Sequence, residues 1–473
     1  MTTDPRGAHR PRGASAVIVF SLLLSGLVVA SRPARPAGES LLITGVRILD
    51  TRSGRYQATA GVLVQDGRIA ALHREAPQEW PAEARRIDLP GTTMVPGLGD
   101  LHATATPTSA ADADFYYLLA LAHGVTFCRG VDMTLPWAAR QRDRIRTGDI
   151  LAPRLWVSGP GLDQQAAFSF SLRRVADVTA AKREVAAQAQ AGADWIRVHS
   201  NTGPEVLRAI LSAALTSKVR TSAEPGVTSA AELVRLGVGV IDRLGYLAHN
   251  RTETEASLSS LPDYPRGDTD AASDYAWEHL PEADVKAAAA LMPRRRTIVV
   301  PLLASFRGVL RAKALESDPA LSCLPARVRD AMMARAYPDE GPETARAARA
   351  AGARSRAVAA LAKAGVRLAT GADTESRGYA VPGAGIHKEL SLLVQSGLTP
   401  AEAIRAATIN AAEALGAGTS LGQITVGSDA DFFIVEGDPL RQIEDLQRIK
   451  LIVRGGEALN RDELLQQAKR ATR

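Results

Sequence analysis

The chain of 473 residues has the composition of a folded protein with a large core, because 46% of its residues are hydrophobic, 23% are charged and 4% are aromatic. This length allows one large barrel with a small companion domain, or two to three average domains. The formal net charge is +6, but the basic residues are spread through Ala/Arg-rich stretches without interleaved aromatic residues. We therefore expect solvated helix surfaces and no nucleic-acid partner.

The first 30 residues have the pattern of a secretory signal. Three arginines precede an apolar run from Ala14 to Ala30, which ends in small residues and is followed by a Pro-rich stretch. We expect an exported protein, periplasmic or extracellular, with a signal peptide at residues 1–30 and a linker at 31–40. The alternative is an uncleaved N-terminal anchor, and we expect no other contact with a membrane.

The two cysteines, Cys128 and Cys323, are too few for a disulfide framework. One bridge in an oxidising compartment stays open as an alternative to two buried thiols.

Strand-like alternation at both ends of the chain predicts a composite β domain. Residues 41–49 and 61–72 alternate in this way, and Asp66-Gly67 between two apolar runs is typical of a β-hairpin turn. Short apolar runs separated by Gly and Asp recur after residue 421. We expect a small β-sandwich domain built from residues 41–92 and 417–460, with residues 461–473 as a C-terminal tail.

Between these segments the pattern changes to apolar, β-rich runs that alternate with helical stretches. The eight runs cover residues 93–102, 124–131, 154–159, 194–200, 218–224, 239–245, 297–303 and 366–373. This α/β pattern predicts a (β/α)8 TIM barrel over residues 93–416, with functional residues at the carboxyl ends of its strands. The polar, Pro- and Gly-rich residues 250–279 predict a long loop.

Several motifs resemble those of one enzyme superfamily. They are VPGLGDLH from Val95, GVT from Gly124, GADWIRV from Gly192, TGAD from Thr370, GLTPAEAIRAATINAAEALG from Gly397 and LGQITVGSDADFFIVEGDPL from Leu421. With these the chain resembles the amidohydrolase superfamily, in the branch of imidazolonepropionase-like and Xaa-Pro dipeptidase-like enzymes, over residues 41–459. The resemblance implies a TIM barrel with a composite β domain, and a hydrolase in which metal-activated water attacks a C–N or related bond.

The resemblance also implies a ligand set for the metals. The family uses two histidines on the first strand, a carboxylated lysine on the fourth, one histidine on each of the fifth and sixth, and an aspartate on the eighth. Here these positions hold, in that order, His102, Thr104, Arg197, Ser222, Arg243 and Asp373. Only His102 and Asp373 match the family's residue types, so the resemblance implies a degenerate metal site.

The two arginines would oppose metal binding. A guanidinium stays protonated and is not a metal ligand, and one unit charge 4 Å from a dication costs about 8 kcal/mol at an effective dielectric constant near 20. We therefore expect no cofactor, with Zn²⁺ or another divalent metal only at a residual mononuclear site. The favoured interpretation is a pseudoenzyme in which Arg197 and Arg243 take the place of the two cations and Asp373 gains a guanidinium partner.

Three alternatives remain open. A rebuilt single-metal site would use His102 and Asp373 together with His199 and Glu224, each two positions beyond a family position on the same strand face. Metal-free catalysis would use Asp373 or Glu224 as a general base, with the arginines stabilising an oxyanion. A non-catalytic binding protein would hold a small anionic ligand at an arginine-lined barrel mouth.

The resemblance also places His387, in Gly-Ile-His-Lys-Glu-Leu, near the barrel mouth as a residue that contacts substrate. The candidate substrate-binding residues are therefore Arg197, Arg243, His199, Glu224 and His387, and Asp373 is the candidate catalytic residue. We expect a small-molecule ligand or substrate, and the sequence leaves the oligomeric state and the presence of catalysis open.

Overall fold

A computed structural model describes residues 40–77, 79–104, 110–165, 171–267, 269–293, 297–374, 378–379 and 381–471. The predicted signal peptide and nearly all of the predicted linker lie outside these residues, as do the last two residues of the predicted tail. Among the described helices, none has the length and apolar character needed to cross a membrane.

The elements of the described residues are numbered in chain order. The first strands are β1 (Leu41–Asp50), β2 (Arg55–Ala58), β3 (Gly61–Gln65), β4 (Arg68–His73), β5 (Arg85–Pro96), β6 (Leu98–Ala103), β7 (Val125–Gly130), β8 (Arg154–Val157) and β9 (Gly161–Asp163). They continue with β10 (Leu172–Arg174), β11 (Trp195–Val198), β12 (Arg220–Ala223), β13 (Val240–Asp242), β14 (Ile298–Val300), β15 (Arg367–Leu368), β16 (Phe432–Val435), β17 (Ile449–Arg454) and β18 (Glu457–Leu459). The helices are α1 (Ala110–Ala122), α2 (Leu135–Thr147), α3 (Val178–Gln190), α4 (Pro204–Thr216), α5 (Ala230–Leu236), α6 (Arg251–Leu258), α7 (Thr269–Glu278), α8 (Glu282–Leu291), α9 (Ala312–Glu316), α10 (Ala326–Met333), α11 (Pro342–Lys363), α12 (Ala384–Gln395), α13 (Pro400–Arg405), α14 (Ala411–Ala414) and α15 (Arg461–Ala471).

Strands from both ends of the chain share one eight-stranded sheet. Its order is β18-β17-β16-β5-β1-β3-β4, with β2 paired to β1. Strand β5 joins the two ends, since Met94 pairs with Ile48 on one side and with Ile434 on the other. One face buries an apolar cluster that contains these three side chains. The two β-rich segments therefore meet as the sequence predicted, in a single sheet, while the domain limits stay a prediction.

The predicted hairpin is present between β3 and β4. Gln65 pairs with Arg68 across the turn, and Asp66 and Gly67 have φ angles of 49° and 74°. Two consecutive positive φ angles are typical of a type I′ turn, which matches the twist of the flanking strands. The Asp-Gly pair therefore determines this connection locally.

The middle of the chain forms two parallel sheets. The larger has the order β10-β9-β11-β12-β13-β14-β15 and the smaller has the order β6-β7-β8. A parallel bridge joins Ser158 to Trp195, and the backbone N–H of Leu101 donates to the carbonyl oxygen of Thr370 at 2.9 Å. An apolar cluster draws side chains from β6, β7, β11, β13 and β14. Each of the eight predicted runs contains an observed strand, in an α/β architecture with parallel sheets.

The prediction of a long loop over residues 250–279 was wrong, because this stretch contains α6 and α7. Helix α6 begins with a capping box in which the Asn250 side chain accepts from the backbone N–H of Glu253 and Glu253 accepts from that of Asn250. These two hydrogen bonds satisfy backbone N–H groups that have no partner within the first turn of a helix. Polarity alone therefore did not distinguish a surface helix from a loop.

A second capping box lies where the sequence places one, at Thr399 and Glu402, with Pro400 in the first turn of α13. A π turn over Ala406–Asn410 joins α13 to α14. Cys128 is buried, Cys323 is partly exposed, and both are free thiols.

Candidate functional site

Charged side chains meet at the carboxyl ends of the parallel strands. They are His102 on β6, Asp132 after β7, Arg197 and His199 at the end of β11, Glu224 after β12, Asp242 and Arg243 at the end of β13, and Asp373 after β15. Each lies within 4 Å of an oppositely charged group in this set, with the histidines counted as cations when protonated. We call this set, together with Arg129, the carboxyl-end cluster.

Arg197 lies at the centre of the cluster, and its side chain is only 3% exposed. Its guanidinium forms ion pairs with Asp132 and Glu224, and its Nε lies 3.8 Å from an oxygen of Asp242. Its Nη1 is also within hydrogen-bonding reach of Nε2 of His199. One fixed cation thus occupies the space between three carboxylates.

Arg243 provides the second cation and is more accessible, with 31% of its side chain exposed. Its Nη2 pairs with Asp373, its Nη1 donates to Oγ of Ser305 at 2.9 Å, and its Nε lies 3.7 Å from an oxygen of Glu224. The expected guanidinium partner of Asp373 is therefore Arg243. Arg197 pairs with other carboxylates instead.

Three residues of the cluster have backbone angles in the left-handed region. The φ angles are 55° for Asp132, 67° for Arg243 and 47° for Asp373. This conformation costs on the order of 1–3 kcal/mol for a residue other than glycine and persists where the surroundings enforce it. All three side chains are ion-paired.

The ion pairs of Arg197 shift the pKa values of both the carboxylates and the guanidinium towards the charged forms. Burial raises the pKa of the Asp132 and Glu224 carboxyls. The charges of Arg197 and His199 lower it by more than burial raises it, so both pKa values lie below the ordinary range. Burial lowers the pKa of Arg197, and the surrounding carboxylates raise it above its usual value. The guanidinium and the two carboxylates therefore stay ionised at neutral pH.

Arg129 and Asp242 form a further buried pair beneath Arg197. Nη2 of Arg129 donates to Oδ1 of Asp242 at 2.6 Å, and its Nε donates to the carbonyl oxygen of Leu101 at 2.7 Å. Its guanidinium lies 4.9 Å from the centre of the Trp195 ring, and Nδ1 of His102 lies 3.8 Å from Oδ1 of Asp242. Burial raises the pKa of Asp242, but Arg129 and His102 bring it well below the ordinary value.

Sequence reasoning did not select Asp132, Asp242 or Arg129. Asp132 directly follows the predicted run 124–131, and Asp242 lies within the run 239–245, so position at the carboxyl end of a strand was the available signal. Arg129 lies inside an otherwise apolar run, where a charge needs a buried partner. All three were detectable from position, but their partners were not.

The residues at the other replaced ligand positions also lie at this end of the strands. Oγ1 of Thr104 is 3.3 Å from Oγ1 of Thr374. Ser222 is buried on β12, and its Oγ has no hydrogen-bond partner among the described residues.

His387 lies away from the cluster. It is buried on α12, and its Nε2 is 2.8 Å from the carbonyl oxygen of His123, which precedes the amino end of β7. Burial lowers the pKa of His387 to about 4, so the imidazole is neutral at pH 7. The structure therefore places this candidate substrate contact within the core.

The residues present do not fit a divalent metal. Within the described ranges, no group of three or more His, Cys, Asp or Glu side chains is arranged to hold a metal ion. Arg197 sits between Glu224 and the Asp132 carboxylate, where a cation would meet a fixed positive charge. The alternative site from His102, His199, Glu224 and Asp373 is thus interrupted by a guanidinium.

A family model described as the amidohydrolase family matches residues 310–459. Residues 310–459 are therefore similar to the amidohydrolase family. The predicted resemblance to this superfamily is therefore confirmed. The match includes Asp373 and begins downstream of the arginines and carboxylates on β11 to β13, so it does not cover them.

Related proteins extend this comparison. The chain is 40% identical to ochratoxinase from Aspergillus niger over 92 residues, which is 19% of this chain and 18% of that protein's length. The structure is similar to bottromycin amidohydrolase, with a TM-score of 0.67 and 20% identity, over 92% of this chain and 91% of the other. It is also similar to a Xaa-Pro dipeptidase with methionine bound in the active site, with a TM-score of 0.63 and 18% identity, over 89% of this chain and 100% of the other. At identities of 18% and 20%, the two solved structures show a shared fold and nothing further.

Proposed function

We propose that this chain is an amidohydrolase-fold protein that has lost metal-dependent hydrolysis of C–N bonds. The proposal includes a closed (β/α)8 barrel, which is supported by the Ser158–Trp195 bridge and by the hydrogen bond from Leu101 to Thr370 that links the two parallel sheets. It also includes a small composite domain formed by the eight-stranded sheet.

The proposed loss of metal-dependent activity rests mainly on one observation. Arg197 occupies the position that the family resemblance assigns to a carboxylated lysine, and its guanidinium forms ion pairs with Asp132 and Glu224. Hydrolysis by a metal needs an open coordination position with anionic and imidazole ligands around it. A buried guanidinium in that position removes the bridging anion and repels the cations.

The test is a joint measurement of metal content and hydrolysis. We expect the purified chain to contain far less than one equivalent of zinc or manganese after incubation and dialysis, and to show no metal-stimulated cleavage of Xaa-Pro dipeptides or N-acyl amino acids. Stoichiometric metal, or a rate that rises with added metal, would overturn the proposal. A variant with Thr104→His, Arg197→Lys, Ser222→His and Arg243→His provides a positive comparison, since it restores the family's ligand types.

A second candidate function is supported by the exposure of Arg243. A guanidinium that is 31% exposed and held by Ser305 and Asp373 can exchange its carboxylate partner for one on a small ligand. Arg197 is too buried for this role. Millimolar small carboxylates should then raise the melting temperature of the wild type and leave that of Arg243→Gln unchanged, with Arg356→Gln on the outer surface of α11 as the control. Equal shifts in all three proteins would rule out this candidate.

Export of the protein is a separate proposal that rests on the basic and apolar N-terminal residues. N-terminal sequencing of material recovered from the periplasm or medium should begin near residue 31. Recovery of the chain only from the cytoplasm, with its first residues intact, would contradict export.

A further inference from the structure

An open cavity lies at the amino ends of the same parallel strands. Its volume is about 620 Å³, and its floor is formed by Trp195 on β11, Val240 on β13 and Ile298 on β14. Helix α4 forms one wall with Leu211 and Leu215. We call this the amino-end cavity. Its volume lies in the range of sites that bind small organic molecules.

The charged groups that line the amino-end cavity are mostly cationic. They comprise three guanidiniums, from Arg208, Arg220 and Arg367, and one carboxylate, from Glu413. Nη1 of Arg367 lies 3.1 Å from Oε2 of Glu413, so this pair is neutral. The excess of two positive charges resides on Arg208 and Arg220.

Arg220 is positioned by its backbone contacts and still carries its charge. Its Nη1 donates to the carbonyl oxygen of Ala414 at 3.2 Å, and a carbonyl does not neutralise a guanidinium. The absence of a side chain at Gly416 makes room for it, because a Cβ there would lie 2.2 Å from Nη2 of Arg220. The local backbone therefore accommodates a cation at this rim.

Apolar side chains complete the surface. Leu215 is 81% exposed, one of two large hydrophobic residues with high exposure in the described part of the chain. It lies beside Leu211, Val219 and Leu236, which are only partly buried. A contiguous apolar surface of this kind beside charged groups is typical of a binding site.

Trp195 is the aromatic residue of the floor. The Trp195 side chain is almost fully buried, yet its indole Nε1 has no hydrogen-bond partner among the described residues. Buried indole N–H groups usually have an acceptor. Because Nε1 is inaccessible to solvent, a ligand in this open cavity would not reach it without a movement of the floor.

We propose that the amino-end cavity binds a small amphipathic anion, with an apolar body against Leu215 and Trp195 and a carboxylate held by Arg208 and Arg220. This inference is independent of the proposed function, because it depends on the opposite ends of the strands and on none of the cluster's ion pairs. A neutral apolar molecule leaves the two guanidiniums without a partner, and a short carboxylate leaves the apolar wall exposed.

The first experiment titrates the full chain with decanoate by isothermal calorimetry, below the critical micelle concentration. We expect saturable binding of one molecule, at least tenfold weaker binding of decanamide and of acetate, and a change in tryptophan fluorescence that is lost in Trp195→Phe. Absence of decanoate binding, or equal affinity for decanamide, would overturn the proposal.

Two variants with matched controls locate the site. Arg208→Glu and Leu215→Asp should each weaken decanoate binding at least tenfold, whereas Arg356→Glu and Val426→Asp, which change an exposed arginine and an exposed apolar residue outside the cavity, should leave it unchanged. Melting curves verify that all four fold. Equal weakening in the controls, or none in Arg208→Glu and Leu215→Asp, would contradict the assignment. Dimerisation that these two variants abolish would assign the cavity to a second copy instead.

Discussion

The two ends of the parallel strands differ in how their charges are satisfied. At the carboxyl ends, Arg197 and Arg243 are enclosed by carboxylates of the chain itself. At the amino ends, Arg208 and Arg220 face an open cavity with one carboxylate, which is already paired to Arg367. The same short strands thus carry arginines that are ion-paired with carboxylates of the chain at one end and two arginines without a carboxylate partner in the cavity at the other.

This difference shows that an arginine in a former active-site position is not by itself an anion site. A guanidinium attracts a ligand only to the extent that the protein has left its charge without a carboxylate. By that criterion the amino-end cavity is a better anion site than the center of the carboxyl-end cluster. Of the cluster's arginines, Arg243 is the more accessible one.

The largest expected effect comes from removing the central cation. Arg197→Met keeps apolar volume but leaves the buried Asp132 and Glu224 carboxylates without the guanidinium that pairs with both. We expect a loss of about 3–5 kcal/mol in the free energy of unfolding at pH 7, measured by urea denaturation. Arg208→Ala, at the exposed rim of the amino-end cavity, should change it by less than about 0.5 kcal/mol. Similar losses in the two variants would remove the distinction between the two ends.

The same variant should change the acid dependence of stability. In the wild type, the pKa values of Asp132 and Glu224 are lowered in the folded state. Their contribution is therefore present above their ordinary pKa values, near 4, and is lost as the pH falls through the folded values. Arg197→Met should show a smaller acid loss, because it removes the largest charge that lowers the two pKa values and leaves His199, and Arg243 at Glu224, to oppose the effect of burial.

A smaller effect is expected at Glu389, a buried carboxylate that faces backbone instead of arginine. It accepts from the backbone N–H of Ala304 at 2.8 Å, next to the Ser305 that contacts Arg243. Burial raises its pKa to about 7. Its stabilising contribution is thus complete below pH 4.5 and is lost as the pH rises towards 7.

Glu389→Gln should remove that loss. We expect the free energy of unfolding of the wild type to fall by roughly 2–3 kcal/mol relative to the variant between pH 4.5 and pH 8, measured by denaturation at several pH values. Parallel pH profiles would show that Glu389 is ionised in the fold, and the contrast with the arginine-paired carboxylates would then fail.

The smallest expected effects are the coupling energies of two partly exposed ion pairs. A double-mutant cycle of Arg243→Ala and Asp373→Ala should give a coupling of about 1 kcal/mol, since Asp373 is largely buried but Arg243 is in contact with solvent. The cycle for Arg367 and Glu413, both over 30% exposed, should give about 0–0.5 kcal/mol. An inverse order would mean that water screens the carboxyl ends more strongly than the amino ends.

Local chemistry made much of the fold predictable. The Asp66-Gly67 turn, the capping box at Thr399 and the apolar runs of the parallel strands depend on neighbours in sequence, so they could be identified without tertiary contacts. The stretch 250–279 was mispredicted because the Asn250–Glu253 capping box lies in a polar context that is common to loops and surface helices.

The sequence alone determined that Arg197 and Arg243 replace metal-ligand types and that Asp373 remains, because residue identity at a motif position needs no coordinates. Only the tertiary structure decided which carboxylate each guanidinium meets, that Asp132, Asp242 and Arg129 complete the cluster, and that His387 lies in the core. Those contacts join residues up to 264 positions apart. The order of the residues along the chain does not show which of them the fold brings together. Ion pairs act over a few ångströms in space, so their partners follow from how the strands assemble and not from their order along the chain.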